Sequence, residues 1–100
     1  MSYVVLGGFH AFAETRADKA QALKVMEESG EVVDAIKSYA STSMRNDDHD
    51  AREARCELLD ECADVCQAVA NLLDGLGVSE GEWEAARDRV YGRNLDRGRF

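Results

Sequence analysis

A chain of 100 residues fits one domain with little core to spare. Its formal net charge of −8 argues against binding a nucleic-acid backbone, which rewards clustered Lys and Arg, and suits the gathering of divalent cations. Apolar residues make up 45% of the chain and proline is absent, so the sequence favours packed helix over a disordered acidic tail.

Residues 1–14 form an N-terminal segment. Met1 to Gly8 is apolar in part but lacks the basic flank of a secretory signal. No apolar run approaches the length of a membrane span, and the expected compartment is cytoplasmic. The aromatic patch Phe9-His10-Ala11-Phe12 follows, and Thr15 or Asp18 is placed to cap a long helix reaching about Ser43. Leu23, Val25, Met26, Val32, Val33, Ile36, Tyr39 and Ala40 recur on it at the helical period.

Residues 41–50 read as the one clear loop. Asp50 with Glu53 resembles a capping box that opens a second helix, running to about Leu73. This helix is apolar over much of its circumference (Leu58, Leu59, Cys62, Val65, Cys66, Val69, Leu72, Leu73), the mark of burial by more than one neighbour. Cys56, Cys62 and Cys66 all lie on it, where one helix cannot easily bridge its own cysteines. They are expected as reduced, mostly buried thiols. Gly75 and Gly77 end the helix. Ser79 with Glu82 forms another capping box, opening a third helix through about Tyr91, and residues 93–100 form a basic tail. The fold class is all-α: one domain over 1–100, an antiparallel helical bundle.

Two acidic pairs carry the chemistry. At roughly 100° per residue, Glu28 falls about 20° outside the Tyr39 edge of the first helix's apolar arc, and Glu31 about 60° further round. On the second helix Glu61 falls about 20° outside the Leu72 edge, and Asp64 about 60° beyond it. Helices joined by one loop pack antiparallel, so the pairs can face each other across the seam. A solvated acidic face is the plain alternative for any single pair. Four carboxylates beside a core need neutralising, however, and the second helix has no Lys or Arg between Glu57 and Asp74. Magnesium fits as a hard cation that takes carboxylate oxygens and keeps positions for water and phosphate, which points to phosphoryl or nucleotidyl chemistry.

The stretch KVMEESGEVVDAI from Lys24 to Ile36, with LDECADV from Leu59 to Val65 and ANLL from Ala70 to Leu73, resembles the MazG-like all-α NTP pyrophosphatases. The ExxE and ExxD of that family fall on Glu28, Glu31, Glu61 and Asp64. Arg93-Asn94 with Arg97 to Phe100 is similar to the basic tail of small members, and Phe9 to Phe12 to their aromatic lead-in. The resemblance implies magnesium-dependent hydrolysis of a nucleoside triphosphate to the monophosphate and pyrophosphate. It also implies a bundle completed by dimerisation or tetramerisation. The 29 residues between Glu31 and Glu61 meet or slightly exceed the usual spacing, with the extra length in the 41–50 loop. Glu57 and Asp60 also satisfy ExxD, but Asp60 points about 100° away from Glu61 at the arc edge.

On this reading Glu28, Glu31, Glu61 and Asp64 hold the metal, and Glu27 or Glu31 accepts a proton from water. Lys24, Arg93, Arg97 and Arg99 are candidates for the phosphates. Asn71 falls about 20° from Asp64 on the wheel and is a candidate substrate contact. Trp83, Tyr39, Phe9 and Phe12 could stack on a base, or pack as core. The rival enzyme is a phosphoribosyl-ATP pyrophosphatase. The rival of another class is a non-catalytic helical dimer. No nucleic acid or membrane partner is expected.

Overall fold

The structure is a computed structural model that describes residues 2–44 and 48–100. Three helices follow one another: α1 (Lys19–Met44), α2 (Asp48–Leu76) and α3 (Glu80–Asp96), with no strand among the described residues. None is long and apolar enough to cross a membrane. The chain divides into two compact units. One is Phe9–Leu76; the other joins Gly77–Phe100 with the opening residues as far as Gly8.

In the Phe9–Leu76 unit, α1 starts where its caps are satisfied. Asp18 is the cap: its Oδ1 accepts from the Gln21 N–H at 2.9 Å, and its carbonyl from the Ala22 N–H at 3.1 Å. Thr15, the other expected cap, donates its hydroxyl to Asp74 instead.

The loop expected over 41–50 is mostly helix, since α1 continues to Met44 and α2 resumes at Asp48; residues 45–47 lie outside those described. Thr42, one of the residues that suggest a loop, is accommodated by back-bonding. The Thr42 hydroxyl bonds the carbonyls of Ser38 and Tyr39, at 3.2 and 3.0 Å. Asp50 is therefore not a cap. It sits with Asp48 in the first turn of α2, where negative charge suits the exposed N–H groups. At the far end α2 runs through Gly75 to Leu76, and Gly77, at φ 74°, adopts the left-handed conformation that stops it.

The two long helices pair antiparallel. Gln21 near the start of α1 donates to the Ala68 carbonyl late in α2 at 2.9 Å, and Glu28 meets Glu61 and Asp64 further along. The less exposed residues of α1 are Gln21, Val25, Glu28, Val32, Ala35, Tyr39 and Thr42; those of α2 include Ala51, Ala54, Leu58, Glu61, Val65, Ala68 and Leu72. Both sets step by three and four, the spacing of a coiled-coil seam. Ala35, Ala54 and Ala68 keep it narrow.

The seam does not follow the middle of either apolar arc. It is centred roughly 60 to 80° toward the acidic edges, so Glu28 and Glu61 lie in it and not beside it. Leu23, Met26, Val33 and Ile36 are left outside it, with Met26 66% and Val33 51% exposed. Among the described residues no large side chain is fully buried. The cysteines, expected to be mostly buried, depart from expectation: Cys62 falls outside the shifted seam and Cys56 off the apolar arc altogether, so both are exposed, while Cys66 is half-buried, all three as free thiols.

In the second unit α3 opens on the expected capping box. Ser79 Oγ accepts from the Glu82 N–H at 3.2 Å, and the Ser79 N–H donates to Glu82 Oε1 at 3.1 Å. That backbone donor holds the Glu82 carboxyl below its ordinary value. The helix outlasts Tyr91 and takes up the first half of the expected tail, ending at Asp96. It closes with a Schellman arrangement: Gly98 at φ 65°, its N–H bonded to the Leu95 carbonyl and that of Arg99 to the Asn94 carbonyl, each at 3.0 Å. Phe100 then stacks on Tyr91, with centroids 5.1 Å apart.

Candidate metal centre

Glu28 from α1 and Glu61 and Asp64 from α2 each offer a carboxylate oxygen, all within 4.8 Å of one another. Glu61 and Asp64 are neighbours by helical spacing, as i and i+3. Glu28 joins them only because α1 crosses α2 there. The hard oxygen donors, with two of the three residues half-buried and Asp64 open to solvent, suit magnesium, which keeps part of its shell for water or phosphate.

The electrostatics mark Glu61 as the strained member. Desolvation in the seam pushes its carboxyl above the ordinary value, aided by the like charges of Asp64, Glu31, Glu28 and Asp60. Among the described residues, Glu28 is the one member of the trio with an ion-pair partner: Lys24 Nζ lies 3.3 Å from it and from Glu27. Hydrogen bonds to Glu27 and then Glu28 raise the Lys24 pKa.

Glu31 is exposed and outside the close trio, though near enough for its charge to act on Glu61. Glu27 is turned to solvent and tied to Lys24. Glu57 and Asp60, the alternative ExxD, are both exposed and join no such group among the described residues. Arg93, Arg97 and Arg99 belong to the other unit, where Arg99 Nη1 donates to Asn94 Oδ1 at 3.0 Å. A second group, His49, Asp50 and Glu53, lies on the first turns of α2, where spacing along one helix alone brings them together.

Beside the trio is an open cleft of about 470 Å³. Of the residues expected near a substrate, Glu28, Asp64, Lys24, Asn71 and Phe12 line it, together with Arg16, Gln21 and Gln67, for which the sequence suggests no role. Phe12, Glu14, Arg16 and Asp18 of its lining belong to the lead-in to α1, which lies against the end of α2 as a strap. Gln67 Nε2 donates to the His10 carbonyl at 2.8 Å, and the Phe12 N–H donates to Asn71 Oδ1 at 3.0 Å. Thr15 bonds Asp74, and the backbone of Arg16 and Ala17 crosses directly over Gly75.

Asn71 is 5% exposed, and its Oδ1 also accepts from Gln67 Nε2 at 3.1 Å. The residue read as a substrate contact thus pins the strap while lining the cleft. Gly75, expected from the sequence to end the helix, lies inside it instead, at the point where the strap's backbone leaves no room for a side chain. No family model matches the chain, and no curated protein or solved structure matches it.

Proposed function

We propose that the protein is a magnesium-dependent nucleoside triphosphate pyrophosphohydrolase, releasing pyrophosphate and the monophosphate. The observation that carries this reading is the cross-helix trio of Glu28, Glu61 and Asp64 opening on a cleft that also holds cationic side chains. The fit to the MazG-like ExxE and ExxD motifs supports it further.

Glu28, Glu61 and Asp64 are the residues to hold the metal, with Glu31 at its margin. When bound, magnesium offsets triphosphate charge and makes a bound water more acidic. Glu31, exposed and outside the tight group, takes the proton of the attacking water in this proposal. Lys24 partly neutralises Glu28 and so tempers the repulsion within the group. The test is pyrophosphate release from a panel of ribo- and deoxynucleoside triphosphates with and without magnesium. Release from at least one nucleotide, dependent on magnesium, is expected. Release from phosphoribosyl-ATP alone, run beside the panel, would shift the reading to a phosphoribosyl-ATP pyrophosphatase, and no release at all would leave a non-catalytic helical protein.

The working form in this proposal is a homodimer or homotetramer. The uncovered apolar line of α1, Leu23, Met26, Val33 and Ile36, is more apolar surface than a lone hairpin would carry without benefit. Sedimentation at micromolar concentration should give a species of at least two chains. A stable monomer there would overturn this part of the proposal.

A further inference from the structure

Among the cationic residues lining the cleft, Lys24 and Arg16 differ in kind. Lys24 is committed to two carboxylates. Arg16 has no carboxylate within ion-pair distance among the described residues, even though Glu14 and Asp18 line the same cleft. Its backbone is held in place: the strap is bonded to α2 before it through His10, Phe12 and Thr15, and Arg16 itself lies on the bare backbone of Gly75. The chain immediately after it is capped into α1 by Asp18.

An unpaired guanidinium on an anchored segment has already lost part of the freedom that binding would cost it. Its planar fork suits phosphate oxygens, where the ammonium of Lys is only a point charge. The cleft thus offers two unlike demands: carboxylates that need a cation, and a cation that lacks an anion. A metal–polyphosphate meets both.

Resting on the hydrolase reading above, we propose that Arg16 is the anion-binding residue of this cleft, gripping the polyphosphate of a ligand whose divalent cation is held by Glu28, Glu61 and Asp64. The strap is then part of the binding site and not merely a lead-in to α1.

Inorganic tripolyphosphate with magnesium is the probe, titrated calorimetrically into wild type, Arg16→Gln, Arg16→Lys and Arg55→Gln. Arg55 is exposed on α2 and outside the cleft, so its loss reports only the change in net charge. Arg16→Gln is expected to weaken tripolyphosphate on the order of tenfold to a hundredfold, with Arg16→Lys between it and wild type. Arg55→Gln should stay within about twofold, as an exposed charge contributes little. Stabilisation by magnesium alone should be the same in all four proteins. Equal affinities for Arg16→Gln and Arg55→Gln, or no tripolyphosphate binding by wild type, would overturn the assignment. Failure of the hydrolase reading looks different. Arg16-dependent tripolyphosphate binding with no pyrophosphate release from any nucleotide would sink that reading and leave the anion site standing. Turnover with KM unchanged in Arg16→Gln would do the reverse.

Discussion

Glu61→Gln is expected to lower pyrophosphate release by on the order of a hundredfold or more, while the metal-free variant melts higher than wild type. Two consequences of one change pull in opposite directions. Glutamine keeps the side chain's shape, so the α1–α2 seam stays filled. It removes the carboxylate that is both desolvated and surrounded by Asp64, Glu31, Glu28 and Asp60, and with it a repulsion the fold now bears. It also removes a ligand from the proposed metal site.

The pH dependence follows with a definite sign. The Glu61 pKa is raised on folding above its ordinary 4.5, so its charged form is the one that folding penalises. That penalty is fully present above the raised value and gone below 4.5. Metal-free wild type should therefore gain stability as pH falls from neutrality through the raised value toward 4.5, a gain Glu61→Gln should lack. Magnesium should stabilise wild type by mass action and the variant less. Retained turnover with equal magnesium shifts would move the site to Glu57 and Asp60.

Gly75→Ala is expected to destabilise the protein by about 1–3 kcal/mol, where helix propensity alone predicts a gain of up to about 1 kcal/mol. A methyl group there would sit 2.7 Å from both Arg16 Cα and Ala17 N, and backbone cannot swing aside as a flexible side chain can. The matched control is Gly30→Ala in α1, where nothing lies within 4 Å and the propensity gain should appear. Urea midpoints at constant slope would measure both. Stabilisation by both substitutions would mean that the strap is not seated on α2. Loss at Gly75 alone would tie the strap, and Arg16 on it, to the helix that carries Glu61 and Asp64.

Helix number, type and order were legible from the amino-acid sequence because they rest on local properties: apolar periodicity, the Ser79–Glu82 box, Asp18 before an apolar run, and no proline. So were the two acidic pairs, since each is defined by spacing on its own helix; that Glu28, Glu61 and Asp64 come together without Glu31 was not. Boundaries were less legible. Ser41, Thr42 and Asp50 carry loop-like preferences, and the Thr42 hydroxyl bonds and the first-turn position of Asp50 are needed to see them as helix.

Two features were decided only by tertiary structure. The wheel gives the width of an apolar arc but not which part of it a neighbour covers. Packing along the acidic edges therefore put Glu28 and Glu61 inside the seam and left Met26 and Val33 uncovered. The strap is held by bonds between residues 57 to 59 positions apart, with Asn71, Gln67 and Gly75 as its footing. No local pattern encodes such pairings, because each partner is an ordinary residue until the chain brings the other to it.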